Sequence, residues 1–249
     1  MTDDVRIETE QHVLTLTLAR PGKKNALTEA MYSVLADALE SAEDDPGVRA
    51  ILVRGEGDSF TAGNDLAEFV TDDAVVTGSD RQVFRFLRAL STATKPVVAA
   101  VHGRAVGVGT TLLLHCDVVF VSQDARLSCP FVDLALVPEA AASLLLPARI
   151  GHVRAYEMFA LGRTVDGPTA VAWGLANHVV PAGELGPAAL TAVRDLATRS
   201  AAALATTKRL MRDNAAVAHR LDEEVRLFSE RVVTAEAQAK FAAFTHRQR

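Results

Sequence analysis

Three stretches of this sequence combine residue types and spacings that could do chemistry. Phe60-Thr61-Ala62-Gly63-Asn64-Asp65-Leu66 follows an apolar run and a glycine-rich turn. Small residues there let another molecule approach the backbone closely. His102-Gly103-Arg104-Ala105-Val106-Gly107-Val108-Gly109-Thr110-Thr111 follows a second apolar run and precedes Leu112–Leu114. A strand, a glycine loop and a helix start leave free backbone N–H groups, and the helix dipole adds to their pull on a negative oxygen. Spacing alone leaves both loops open between structural turns and ligand loops. The second is not a dinucleotide fingerprint, because the spacing after Gly109 is wrong, and no G-K-[ST] phosphate loop is present. The third stretch is Pro138-Glu139 before Ala140–Leu146. A carboxylate there can favour a helix dipole or serve as a general base, and on spacing alone the helix residue is the plainer reading.

The elements that must position these residues can be read from periodicity. Val13–Leu18 alternates with period two and predicts a strand. Met31, Val34, Leu35, Ala38, Leu39 and Ala42 predict one helix face, with Thr28 as N-cap and Pro46-Gly47 as its end. Ala50–Val53, Val97–Val101 and Val118–Val121 are continuously apolar, as buried strands are, and Val83, Phe84, Leu87 and Leu90 mark a second helix. Strands alternating with helices predict crossover units and parallel pairing. Beyond about residue 140 apolar positions take helical spacing. The stripe Leu221, Val225, Phe228 and Val232, with Phe241 and Phe244 after it, predicts helices that need a partner surface and so hints at oligomerisation. The division expected is an α/β core over 1–195 and a helical region over 196–249.

Composition narrows the partners. The chain has 249 residues, a net charge of −5 and 49% hydrophobic residues, enough for a substantial core. An acidic balance argues against a nucleic-acid binder, though a local basic cluster can still hold a phosphorylated small molecule. The longest apolar runs fall far short of the roughly 20 residues a spanning helix needs. The start, Met1-Thr2-Asp3-Asp4, lacks a signal peptide's basic and apolar segments, and Cys116 and Cys129 form neither a disulfide framework nor a metal spacing. The expectation is a cytoplasmic protein, off the membrane, with two free thiols.

Taken together, the segments resemble the crotonase (enoyl-CoA hydratase/isomerase) superfamily over nearly the whole chain. Arg20-Pro21 with Lys24-Asn25-Ala26-Leu27 is similar to the family's early motif, and Phe60–Leu66 to its first oxyanion loop. Lys95–Gly103 leads into the second, and Cys116-Asp117, Ala125-Arg126-Leu127 and Trp173–Asn177 continue the pattern in order. The resemblance implies a spiral of ββα turns, assembled as a homotrimer or dimer of trimers. It implies an acyl-CoA thioester as substrate, with coenzyme A as part of it and no separate cofactor or metal. By alignment, the backbone N–H groups of Asn64 and Val108 would hold the thioester oxygen. Valine stands at Val108 where glycine is common, which narrows the space beside the acyl group.

The resemblance also separates reactions by their acid/base groups. Family hydratases carry two glutamates, and the matching positions here are Thr111 and Phe131, neither of which is a carboxylate. Pro130–Glu139 instead resembles the peroxisomal-type Δ3,Δ2-enoyl-CoA isomerases, which implies Glu139 as the single catalytic carboxylate. Glycine usually follows that glutamate, whereas Ala140-Ala141-Ala142 follows here. Phe131, Leu134 and Leu136 are expected to give Glu139 an apolar pocket and raise its pKa. Lys24, Ala62, Gly63, Asp65, Leu66, Gly107, Gly109, Thr111, Phe131, Phe244 and Arg247 are the implied substrate contacts. Lys24 and Arg247 lie toward the phosphates and Phe244 toward the adenine. From the residues alone, Asp65 reads as a loop hydrogen-bonding residue, Asp133 as a turn cap, and His102 and His115 as satisfied histidines. Cys116 reads as a small buried residue, Trp173 as core, and Thr110 and Thr111 as lining or capping residues. Three functions stay open: a 3-enoyl-CoA isomerase, a hydratase or other lyase pairing Glu139 with Asp133, and a non-catalytic acyl-CoA-binding scaffold.

Overall fold

Period-two alternation makes Val13–Leu18 a strand, β2, and gives it an antiparallel neighbour that alternation did not reveal. That neighbour is β1, Val5–Glu10. It is an edge strand whose residues beyond Val5 are exposed, so its sequence is free to be polar. The computed structural model describes residues 2–69 and 81–246. Thr28 caps α1 (Glu29–Asp44) by accepting the Met31 N–H. Then come β3 (Ala50–Gly55), α2 (Gln82–Thr92) and β4 (Val97–Val101). Strands β5 (Arg104–Val106), β6 (Val118–Ser122) and β7 (Arg126–Ser128) flank the short helix α3 (Val108–Thr111), which runs on as a 3-10 turn.

These strands form two sheets. The larger has the order β1-β2-β3-β4-β6-β9, where β9 is His178–Val180, and it is parallel from β2 onward. The smaller joins β5, β7 and β8 (Val165–Asp166). In successive turns the chain lays one strand into each sheet: β4 pairs with β6, and β5 with β7. Isolated parallel bridges, Leu27 with Asn64 and Thr61 with Ala105, continue the smaller stack backward through earlier turns. The architecture is the ββα spiral, and its stacking brings distant loops side by side.

Both faces of the larger sheet are covered, which explains its continuously apolar strands. Leu185, Ala189, Val193 and Ala197 of α7 (Leu185–Thr198) pack on one face against Val13, Leu52, Val98 and Phe120. The opposite face meets α1 and α2 within the main core. Helices α4 (Ala142–Ile150), α5 (His152–Ala160) and α6 (Gly167–Trp173) follow the spiral strands. Helices α8 (Ala201–Leu210), α9 (Asn214–Val232) and α10 (Ala235–His246) complete the order. The apolar stripe of α9 finds its partner surface within the chain. Phe228 meets Phe84 of α2 edge-on and also meets Phe69, and Leu221, Val225, Val232 and Phe241 are all buried. Among the described residues no helix is long and apolar enough to cross a membrane.

Candidate active site

The two glycine loops lie against one another because the spiral stacks them. Thr61 N–H donates to Arg104 O at 2.9 Å, and Val106 N–H donates to Thr61 O at 3.1 Å. Gly63 has φ +86°, and a Cβ there would stand 2.6 Å from Val106 O. A Cβ on Gly109 would stand 2.5 Å from Thr61 Cγ2, so both glycines are required by close approach.

Each loop presents an unused N–H. In the Leu27–Asn64 bridge, Leu27 N–H donates to Gly63 O and Asp65 N–H donates to Leu27 O, both at 2.8 Å. The bridge therefore consumes the groups on either side of Asn64, and Asn64 N–H finds no acceptor among the described residues. In the second loop, Gly107 N–H donates to Ser128 O, and Gly107 O accepts from Thr110 and Thr111. Val108 N–H is left with no acceptor among the described residues. The Asn64 side chain is fixed by the hydroxyl of Tyr32, a buried residue of α1, to which it is hydrogen bonded. Burial, with the charge of Glu139 as the next cause, pushes the Tyr32 phenol well above its ordinary pKa, so it stays a neutral donor.

Glu139 is not a helix residue. It sits three positions ahead of α4, whose N-cap residue is Ala141. Its side chain is 1% exposed. Thr111 Oγ donates to Oε1 at 2.6 Å, while Oε2 is buried with no partner among the described residues. Burial pushes its pKa up to about 8, Thr111 opposes the rise, and the charge of Glu224 adds to it. Ala140 and Ala141, at φ +64° and +53°, form the turn into α4 in the left-handed region. For residues bearing a Cβ this costs roughly 1–2 kcal/mol each. Glycine would take the same turn at no such cost, and the strain sits directly beside the carboxyl.

Phe131 and Leu136 are buried in the main core with Leu134 packed against it. Asp133 is exposed on a 3-10 turn with its carboxyl toward Gly162, so it does not join Glu139. Lys24 is bound to Asp58 at the surface, and its carbonyl accepts the Ala62 N–H. Asp65 pairs with Arg20 at 2.7 Å, and Leu66 opens a 3-10 turn. Phe244 is 43% exposed on α10, and Arg247 lies outside the described residues. His102 is hydrogen bonded to Gly57 O, Cys116 is buried, and Trp173 is only partly buried, with Arg154 and Arg163 over its ring.

Two unused N–H groups on adjoining loops and one buried carboxyl with a raised pKa can polarise a carbonyl and move a proton. The profile described as enoyl-CoA hydratase/isomerase matches residues 8–249. The chain belongs to the enoyl-CoA hydratase/isomerase family. Its relatives carry both halves of that description. The 2,3-dehydroadipyl-CoA hydratase of Escherichia coli K12 is 32% identical over 97% of this chain and 95% of its own. The peroxisomal enoyl-CoA delta isomerase 3 of Mus musculus is 34% identical over 72% of this chain and 57% of its own. The solved structure of Pseudomonas aeruginosa OdaA superposes with a TM-score of 0.93 at 44% identity, over 99% of this chain and 100% of that one. The chain is thus an enzyme of a family that acts on coenzyme A thioesters.

Two residues of this family member's site escape the motifs. Tyr32 follows Met31 on the α1 face, and a buried tyrosine needs a hydrogen-bond partner, which was the available signal. Glu224 lies three residues after Leu221 and four before Phe228. It is therefore a carboxylate interrupting an apolar stripe, and that was legible in the spacing.

Proposed function

We propose that this enzyme moves the double bond of a 3-enoyl-CoA into conjugation, giving trans-2-enoyl-CoA. One observation carries the reading: the carboxyl of Glu139 is buried, held on one side by Thr111 and, among the described residues, free on the other. Thr111 stands where the hydratase pattern has its first glutamate, so the threonine anchors the base instead of supplying a second one. In the reaction, the N–H groups of Asn64 and Val108 hold the thioester oxygen. Glu139 Oε2 takes a proton from C2, and the negative charge spreads onto that oxygen as a dienolate. The same carboxyl then returns the proton at C4. Each oxyanion donor of this kind is worth roughly 3–4 kcal/mol at the transition state. In this reading Gly63, Gly107 and Gly109 allow the close approach, the backbone of Leu66 and the carbonyls of Ala62 and Asp65, whose N–H groups are bound to Lys24 O and Leu27 O, face the coenzyme, and Phe131 walls the acyl group. Lys24, released from Asp58, and Arg247 would meet phosphates, with Phe244 near the adenine.

A hydratase pairing Glu139 with Asp133 is disfavoured by the exposure of Asp133. A scaffold would gain nothing from a buried carboxyl with one oxygen unpartnered among the described residues, which costs stability. Assembly as a homotrimer or dimer of trimers in the cytoplasm belongs to the same proposal. Val153, Tyr156, Leu161, Leu210 and Met211 supply exposed apolar surface for it.

The test is ultraviolet absorbance of the conjugated product, followed with several 3-enoyl-CoA chain lengths. The kcat/KM of this reaction reports the free enzyme. With Glu139 at about 8, it is expected to rise with pH up to that value and level off above it. A profile flat between pH 6 and pH 9 (roughly one unit or more on either side of that midpoint) would move the base elsewhere. Thr111→Val removes the bond that favours the carboxylate, so the acid limb should move to higher pH and the rate at pH 7 should fall about tenfold. An unchanged limb in that variant would detach Thr111 from the base.

A further inference from the structure

α9 brings a second carboxyl to the segment that carries Glu139. Glu224 is 4% exposed, and its Oε1 accepts the Ser143 N–H at 2.8 Å in the first turn of α4. Its Oε2 is buried and has no partner among the described residues. Between Ser143 and Glu139 lie the two left-handed alanines, which hold such a conformation only where their surroundings fix it.

Three contacts do so, from three directions. Thr111 bonds the Glu139 carboxyl itself. The buried ring of His115 bonds Ala140 O at 2.8 Å through Nε2, and Arg212 lies 2.6 Å from Nδ1. Arginine can only donate, so Nδ1 accepts, and Nε2 carries the proton and donates to Ala140. Burial, then the Arg212 charge, pushes the His115 pKa down to about 3, so this tautomer persists across the working range. The third contact is Glu224 to Ser143.

We propose that Glu224 is a positioning residue for Glu139: through Ser143 it fixes the left-handed turn that aims the base. The inference rests on Glu139 being the base of the proposed reaction. Glu224 has a second effect through charge. Burial pushes its own pKa up, while the Ser143 side chain, the backbone of Ser143 and Ala141, and Arg220 oppose the rise. Besides burial, Thr111 and Glu224 shift Glu139, and the charge of Glu139 in turn raises the Tyr32 phenol and the Cys129 thiol. Glu224 is a second carboxyl, so its ionisation disfavours ionisation of the base.

The experiment compares Glu224→Gln with Glu224→Leu. It reads kcat and KM on a 3-enoyl-CoA, thermal unfolding, and the titration midpoint of the Glu139 carboxyl. The midpoint comes from carbon NMR of glutamate-labelled protein, with Glu139→Gln assigning the resonance. Glutamine keeps an acceptor for Ser143 and removes the charge. It should hold kcat within about threefold and move the Glu139 midpoint to lower pH. Leucine removes the anchor, and kcat should fall roughly 10- to 100-fold with KM nearly unchanged, as a misaimed base predicts. A folded leucine variant with wild-type kcat overturns the proposal, as does a glutamine variant as slow as the leucine one. Should the leucine variant fail to fold, the glutamine variant decides, and an unmoved Glu139 midpoint overturns the proposal. A protein that does not isomerise any 3-enoyl-CoA defeats the functional reading. The midpoint measurement then still tests the link between the two carboxyls.

Discussion

Glu139→Gln is expected to lower the isomerisation rate by roughly 10²- to 10⁴-fold while leaving acyl-CoA binding intact. The amide keeps an oxygen to accept the Thr111 hydroxyl and matches the volume of the acid, but it cannot take the C2 proton. The same change should stabilise the fold at alkaline pH. In the unfolded chain the Glu139 carboxyl ionises near its ordinary 4.5, and in the folded chain only near 8. Between those values the unfolded state gives up a proton that the folded state keeps. Stability is therefore highest below the lower value and is lost as pH rises through the upper one. Glutamine escapes that loss. The variant should exceed the wild type at pH 8.5 by on the order of a few kcal/mol, with the gap closing toward pH 5. Initial rates, calorimetric binding of an acyl-CoA and melting curves at the two pH values check this. A variant with undiminished turnover sinks the assignment of the base, and a stability gap independent of pH sinks the account of its ionisation.

Gly63→Ala should cost roughly 10²- to 10³-fold in kcat, the effect of losing one oxyanion donor. No side-chain substitution deletes the Asn64 N–H, but the glycine before it can displace it. A methyl group at φ +86° is strained, and this one would press on Val106 O of the facing loop. The loops must part, and the two N–H groups part with them. Gly22→Ala is the control, because a Cβ there meets nothing within 4 Å and its φ lies outside the left-handed region. Turnover of the Gly63 variant equal to that of the Gly22 variant would mean that loop spacing does not govern the reaction.

Patterns were legible in the sequence where one residue type repeats over a whole element. The alternation of Val13–Leu18 and the apolar runs at Ala50, Val97 and Val118 became strands in a sheet buried on both faces. Strands β5, β7, β8 and β9 span two or three residues each, too few for a period to show. The stripe on α9 was visible, but a stripe does not say what covers it, and here α2 does. At the site, the motifs pointed to both loops and to Glu139. They could not tell that Glu139 precedes its helix, because that depends on two alanines adopting φ values their type disfavours. Nor could they reveal Tyr32 and Glu224, whose roles come from partners 32 and 81 residues away.

The two loop amides that find no acceptor among the described residues give the molecule a built-in reporter. In heavy water, hydrogen-bonded amides in the adjoining strands should trade their protons slowly. Those of Asn64 and Val108, with no bond to break first, are free to trade as soon as solvent reaches them. A thioester oxygen seated between them would slow both at once. Occupancy of the site could thus be followed on the bare backbone, with no turnover, even for a ligand the enzyme cannot convert.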